Sequence, residues 1–223
     1  MRPRDTAESP PPLPAFATQP APAVIAPKKT LSPSNLGGAK ALSDERGADT
    51  ETALQSGQLI HLLLEHLPTR PESDWPVLAA NLLSTTNQAC GGVDTAALLA
   101  EATALLTKPE LRKIFIPEAL AEVDVSAELP SLDGRGIHGT IDRLVINKAE
   151  VLAIDFKSNV AVPAEVAHCP EGILRQMGAY AEALKQIYPD RKITMAILWT
   201  KTATLMSLPD GLLCDALSRS DVS

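Results

Sequence analysis

The chain has 223 residues, of which 45% are hydrophobic and 21% charged, and its formal net charge is −7, values typical of one globular domain. No apolar stretch reaches the roughly 20 residues that a membrane-spanning helix requires, and residues 1–5 lack the apolar core of a signal peptide, so we expect a cytoplasmic protein. Three scattered cysteines without C-x-x-C spacing exclude a disulfide framework and any obvious zinc or iron–sulfur site.

Prolines distinguish the first fifty residues from the rest of the chain. They recur at positions 10–12, 14, 20, 22, 27 and 33, where they interfere with regular helix and sheet, and few large apolar side chains accompany them. Residues 1–50 are therefore predicted to form an extended, disordered linker. The folded domain is predicted at 51–215, with a short tail at 216–223.

Three helices are predicted in the first part of this domain, residues 51–117. Apolar residues at helical spacing cover 52–67, 74–83 and 94–106, and Asp94 is placed to cap the third helix. His61 lies on the first helix. A lone histidine on an apolar helix is more often a core residue than a metal ligand.

Two aspartates in apolar runs are the main chemical signal of the second part, residues 118–215. After a predicted helix at 118–122 and a strand at 123–129, Asp142 and Asp155 each lie in a run of β-branched and aliphatic residues that indicates a buried strand. Residues 145–152 have the pattern of a hairpin turn, so the two carboxylates should be neighbours. Neighbouring carboxylates repel each other unless a cation or a proton lies between them, and hard oxygen ligands favour Mg²⁺ or Mn²⁺.

Lys157 follows Asp155 by two residues, so both side chains leave the same face of the strand. An ammonium beside a metal site can orient an attacking water and stabilise charge on a phosphorane. The alternatives are a solvated ion pair between Asp155 and Lys157 and, for Asp142, a turn cap or a salt bridge to Arg143. These alternatives do not explain why both aspartates lie in apolar strands.

A further helix is predicted over 170–187, where apolar residues recur at helical spacing before Pro189. Gln176 and Tyr180 are four residues apart on this helix, so they share one face and can point at the ends of the preceding strands. The alternative is that this face only meets solvent.

The motifs occur in an order that resembles a known family. Gly-Thr-Ile-Asp-Arg at 139–143, Asp-Phe-Lys-Ser-Asn at 155–159 and Gln-x-x-x-Tyr at 176–180 resemble motifs of the PD-(D/E)XK nuclease superfamily, most closely those of the C-terminal nuclease domains of AddA and RecB helicase–nucleases. Residues 57–64 resemble the family's histidine-bearing helix, and 197–200 and 205–209 resemble its closing strands. Residues 31–36 resemble the segment that enters the nuclease domain.

The resemblance implies a role for each matching residue. The implied metal ligands are His61, Asp142, Asp155 and the backbone carbonyl of Phe156. The implied catalytic groups are Asp142, Asp155, Lys157, Gln176 and Tyr180, the last two positioning water, phosphate or the DNA strand. Whether Glu122 or Glu128 also joins the site stays open.

The resemblance also implies a Mg²⁺-dependent deoxyribonuclease, with Mn²⁺ able to substitute, that acts as an exonuclease on single-stranded DNA in double-strand break repair. Its implied partners are an AddA-type helicase part and an AddB-like subunit. The chain has no G-x-x-x-x-G-K-[ST] loop, so it cannot hydrolyse ATP by that route. Because residues 1–56 carry six basic and six acidic side chains, the charge of −7 falls on the folded part, and weak autonomous DNA binding is expected.

Two other functions remain open. The chain could be an inactive remnant or split-gene module that serves protein contacts, although no catalytic residue is visibly lost, or a stand-alone nuclease of the superfamily that cleaves RNA or structured DNA. The predicted fold is α/β, of the PD-(D/E)XK restriction-endonuclease-like type. It has a central mixed sheet of four or five strands, helices on both faces, and an N-terminal helical subdomain that brings His61 to the strand ends.

Overall fold

The computed structural model describes residues 29–40, 50–87, 93–159 and 161–220. Within these ranges the α-helices are α1 (Thr50–His66), α2 (Trp75–Asn87), α3 (Thr95–Thr107), α4 (Glu171–Ile187) and α5 (Asp210–Ser218). The strands are β1 (Leu120–Leu129), β2 (Arg135–Ile146), β3 (Glu150–Lys157), β4 (Lys192–Trp199) and β5 (Thr204–Leu208). Most of the linker predicted at 1–50 and the end of the predicted tail lie outside the described residues.

The three helices predicted in the first part of the domain are confirmed as α1, α2 and α3. Asp94 caps α3 as expected, because its carboxylate accepts hydrogen bonds from the N–H groups of Ala96 and Ala97. No helix in the described part of the chain has the length and apolar character needed to cross a membrane.

The five strands form one mixed sheet in the order β1-β2-β3-β4-β5. All neighbouring strands are antiparallel except β3 and β4, which run parallel and are joined through α4. This β3-α4-β4 crossover places the start of α4 near the end of β3. The predicted hairpin between β2 and β3 is confirmed, with Asn147 accepting hydrogen bonds in its turn.

Helices cover both faces of the sheet, as the fold prediction required. On one face, α4 and α5 enclose a core that includes Ile141 and Met177. On the other face, the three N-terminal helices pack on residues such as Ile154 and Phe156. Because Ile154 and Phe156 face the N-terminal helices, the intervening Asp155 is directed toward α4.

The helix predicted at 118–122 is wrong, because strand β1 begins at Leu120. The Glu-Ala-Leu-Ala-Glu sequence has good helical propensity, but residues 120 and 121 pair instead with Leu144 and Arg143 of β2. Strand pairing over the whole length of β1 outweighs the weak local preference.

Residues 29–40, which we call the strap, fall within the predicted linker, but their middle part packs on the folded domain, while residues 29, 30, 35 and 37–40 are exposed. Pro33 and Leu36 are buried, and residues Pro33–Asn35 form a short 3-10 helix. Leu31 pairs with Ile137 of β2 in a parallel bridge. Proline limits regular structure but does not prevent a segment from burying its rings and aliphatic side chains.

Candidate active site

The sheet divides between β2 and β3 at the two predicted aspartates. The β2–β3 ladder extends from the Ile146–Val151 pair to the Arg143–Ile154 pair. Beyond it, β2 continues beside β1 to Arg135, while β3 continues beside β4 to Lys157. Asp142 and Asp155 are the next opposed residues, so they lie where the strands separate. The N–H of Phe156 donates to Asp142 Oδ2 at 2.5 Å and holds the carboxylate across the gap.

A cavity of about 540 Å³ opens where β2 and β3 separate, a place that we call the fork. All six side chains predicted for the site line it: His61, Asp142, Asp155, Lys157, Gln176 and Tyr180. The structure thus brings together residues from α1, β2, β3 and α4 that are up to 119 positions apart in the sequence. A volume of this size is typical of ligand-binding clefts.

His61 is directed from α1 toward Asp142. Its Nδ1 lies 3.4 Å from Asp142 Oδ1, and its ring packs edge-on against Phe156 with the centroids 5.6 Å apart. Burial lowers the pKa of His61, but hydrogen bonding to Asp142 and the charge of that carboxylate raise it further, so the net shift is upward. The negative potential that favours an imidazolium here equally favours a metal cation.

Asp155 is buried and is held from two sides. Gln176 Nε2 donates to its Oδ1 at 2.8 Å, and Lys157 Nζ forms an ion pair with its Oδ2 at 2.6 Å. Burial raises the pKa of Asp155, partly offset by Lys157, and the nearby charge of Asp142 adds to the rise. Burial, the largest single effect, lowers the pKa of Lys157, but the charge and hydrogen bond of Asp155 and the charge of Asp142 together outweigh it, so the net shift is upward. Lys157 is therefore an ammonium at neutral pH.

Tyr180 forms a hydrogen bond with the backbone of β2. Its hydroxyl donates to the carbonyl oxygen of Thr140 at 2.9 Å. Burial raises the pKa of Tyr180, and the charges of Asp155 and Asp142 add to this rise, so the phenol stays a neutral donor. Gly139 lets the ring approach, since a Cβ built there would lie 2.6 Å from the Tyr180 hydroxyl.

Glu122 is the acidic residue that sequence reasoning did not place. Ligand atoms of His61, Glu122 and Asp142 all lie within 4.8 Å of one another. The pairing of β1 with β2 sets Glu122 opposite Asp142, and its φ of 48° is in the left-handed region, which is strained for a residue with a side chain. Burial and the neighbouring Asp142 raise the pKa of Glu122. The strand register would have indicated it, but the helix predicted at 118–122 obscured that register.

This donor set fits a divalent cation. It combines carboxylate oxygens, which suit hard cations such as Mg²⁺ and Mn²⁺, with one imidazole nitrogen. Asp155 lines the cavity beside His61 and Asp142, but its two oxygens are engaged by Gln176 and Lys157, so Asp155 as a metal ligand stays a prediction. The structure shows the N–H of Phe156 bonded to Asp142, and the carbonyl of Phe156 as a ligand stays a prediction.

Five further side chains line the cavity without having been predicted for the site: Ser32, Ser34, Lys40, His138 and Thr140. Three belong to the strap, which the linker prediction had set apart from the folded domain. His138 is exposed, and it forms a hydrogen bond with the hydroxyl of Ser126.

The described residues thus form a mixed sheet that divides at a cleft lined by a histidine, two aspartates and a lysine. The family model of the PD-(D/E)XK nuclease superfamily matches residues 36–208, and the chain belongs to this superfamily. No curated protein is significantly similar to the chain. Among solved structures, the chain is similar to the crystal structure of SSO0001, with 14% identity over 77% of this chain and 84% of that one; the TM-score of 0.30 is too low to support an inference.

Proposed function

We propose that the chain is a deoxyribonuclease that uses Mg²⁺, or Mn²⁺ in its place, to hydrolyse phosphodiester bonds. The observation that carries this proposal is the meeting of the His61–Asp142 pair with the Asp155–Lys157 pair in one cavity. The first pair supplies cation ligands, and the second places an ammonium next to them. Membership of the PD-(D/E)XK nuclease superfamily agrees with this chemistry.

A divalent cation bound by His61, Asp142 and Asp155, with Glu122 as a further ligand, would supply a Lewis acid that activates water and polarises the phosphoryl group. Lys157 would orient the attacking water and stabilise the negative charge that develops on phosphorus-bound oxygens. Gln176 keeps the carboxylate of Asp155 in one orientation through its 2.8 Å hydrogen bond. Tyr180 fixes the strand that carries Asp142.

We further propose that the substrate is single-stranded DNA, cleaved exonucleolytically during double-strand break repair. This proposal rests on the motifs at 139–143, 155–159 and 176–180, which resemble those of AddA and RecB nuclease domains. The net charge of −7 disfavours tight binding of nucleic acid by the chain alone. An AddA-type helicase part and an AddB-like subunit would then deliver the strand to the site.

The test is cleavage of end-labelled single-stranded DNA, duplex DNA and single-stranded RNA with Mg²⁺, Mn²⁺ or EDTA. Asp155→Asn and Lys157→Ala are each expected to lower the rate by about 10²–10⁴-fold, the usual contribution of such groups. Matched controls are Asp190→Asn and Lys148→Ala, which change exposed residues outside the cavity. We expect the controls to cleave like wild type.

The pattern of products decides between the candidate functions. Metal-dependent cleavage of DNA that is lost in both site variants supports the proposal. Preferred cleavage of RNA would instead identify a stand-alone nuclease of the superfamily with another substrate. Absence of cleavage at every enzyme concentration, with metal binding intact, would refute autonomous activity and favour a module that serves protein contacts.

A further inference from the structure

The strap occupies the place that β3 leaves when the sheet divides. At residues 136–138, one edge of β2 pairs with β1. The opposite edge of β2 has no partner from β3 there, because the β2–β3 ladder ends at the Arg143–Ile154 pair. Leu31 binds this second edge: its N–H donates to the Gly136 carbonyl at 2.8 Å, and its carbonyl accepts from the His138 N–H at 2.9 Å. The cavity is thus closed on this side by a segment from outside the five strands.

Two glycine contacts hold the other end of the strap against the start of α4. The N–H of Gly172 donates to the carbonyl of Ala39 at 2.8 Å, and a Cβ on Gly38 would lie 2.7 Å from the Gly172 nitrogen. The φ angles of Gly37 and Gly38 are 79° and 85°, which side chains rarely tolerate. Arg175 also donates to the carbonyl of Leu36 at 3.2 Å. The strap is therefore a fixed wall of the cavity.

The strap adds hydrogen-bond donors and a positive charge to the cavity, whereas the strands contribute both carboxylates and the ammonium of Lys157. The acidic groups of the lining, Asp142 and Asp155, come from β2 and β3. Among the described residues, the strap contributes to this lining two hydroxyl groups and one ammonium, those of Ser32, Ser34 and Lys40. Hydroxyl and ammonium groups can donate hydrogen bonds to phosphate oxygens, and the hydroxyls of Ser32 and Ser34 also bond to each other at 2.9 Å.

We propose that the strap is a binding subsite for the phosphodiester backbone of the nucleic-acid strand, with Lys40 as its charged contact and Ser32 and Ser34 as neutral donors. This inference rests on the proposed nuclease function, because it assigns the phosphate next to the cleaved one to the strap. In this arrangement the phosphate at the strap would contact the donors of the strap, and the cleaved phosphate would contact the proposed cation site. Contacts of this kind position a strand and do not read its sequence.

The experiment measures binding of fluorescent single-stranded oligonucleotides by anisotropy, in an Asp155→Asn background that prevents hydrolysis. DNA and RNA of the same sequence are titrated with Lys40→Ala, with Lys40→Arg and with the matched control Lys29→Ala, which removes an exposed strap lysine outside the cavity. Lys40 is exposed, so its replacement should not impair folding.

Loss of one phosphate contact predicts that Lys40→Ala weakens binding about three- to tenfold for every sequence and lowers the slope of log K against log salt by about 0.7. Lys40→Arg should keep most of the affinity, and Lys29→Ala should keep all of it. A larger effect on DNA than on RNA, or the reverse, shows which backbone the subsite prefers.

Equal binding by Lys40→Ala, Lys29→Ala and the parent chain would overturn the subsite. The experiment distinguishes a wrong subsite proposal from a wrong nuclease proposal. If the wild-type chain cleaves DNA but binding ignores Lys40, the subsite alone is wrong. If the wild-type chain cleaves nothing but binding depends on Lys40 as described, the subsite stands and the proposed hydrolysis is wrong.

Discussion

Gly139 is the position where one methyl group should disturb both the strap and the catalytic helix. It lies on β2 between Tyr180 and Pro33, and a Cβ built on it would be 2.6 Å from the Tyr180 hydroxyl and 2.9 Å from Pro33 Cδ. Both distances are too short for non-bonded atoms. In Gly139→Ala, therefore, α4, the strap or both must move away from β2.

The size of the effect follows from these contacts. Overpacking of a filled core costs about 1–3 kcal/mol, and losing the hydrogen bond from Tyr180 to Thr140 costs about 0.5–1.5 kcal/mol more. The free energy of unfolding of Gly139→Ala should thus fall by about 1.5–4.5 kcal/mol, which lowers Tm by about 3–18 °C in a domain of this size.

The assay is thermal unfolding followed by circular dichroism, with Gly136→Ala as the matched control. Gly136 is on the same strand, and its added Cβ would meet only Thr30 at 3.7 Å, an ordinary contact. Adding Tyr180→Phe to Gly139→Ala removes the hydroxyl from the clash, so the double variant should be more stable than additivity predicts. Equal Tm values for Gly139→Ala and Gly136→Ala would refute this reasoning.

Three further predictions concern other parts of the molecule. Glu122→Gln should weaken Mn²⁺ binding measured by calorimetry by about 10-fold or more, while Glu128→Gln on the same strand should not; equal affinities would exclude Glu122 as a ligand. Arg143→Ala should lower the free energy of unfolding by about 2–4 kcal/mol, measured in urea, because its buried guanidinium donates to the Leu64 carbonyl and lies 5.3 Å over the Phe115 ring. In a Cys90→Ser background, a disulfide reagent should label exposed Cys214 quickly and buried Cys169 slowly across pH 7–9. Burial raises the pKa of Cys169 and so lowers its fraction of reactive thiolate. Similar labelling rates for the two cysteines would contradict this prediction.

Local patterns, together with the family resemblance, indicated which side chains should meet in the cavity, and the catalytic roles of these side chains stay predictions. Asp142 and Asp155 stand out because each interrupts an apolar run, and the hairpin between them indicates that they are neighbours. Lys157 follows from strand periodicity, and Gln176 and Tyr180 from helical spacing. These positions depend on contacts within one hairpin and the helix after it, so short-range patterns contain the necessary information.

The parts that the sequence did not reveal depend on long-range contacts. Glu122 joins the cluster only because β1 pairs with β2, and the helical propensity of 118–122 gives no sign of that pairing. The strap is fixed by Gly172, more than 130 positions from Gly38 in the chain. Its prolines correctly indicate the absence of long helices and strands, but they carry no information about what the segment packs against.

Because the strands separate at the fork, β2 and β3 have the shortest pairing of any two neighbouring strands in the sheet. Only residues 143–146 and 151–154 join the β1–β2 hairpin to the other three strands, whereas β3 and β4 pair along their full length. Opening this short pairing would separate Asp142 from Asp155. We therefore expect the proposed activity to be lost on gentle warming at a lower temperature than the fold, and to return on cooling.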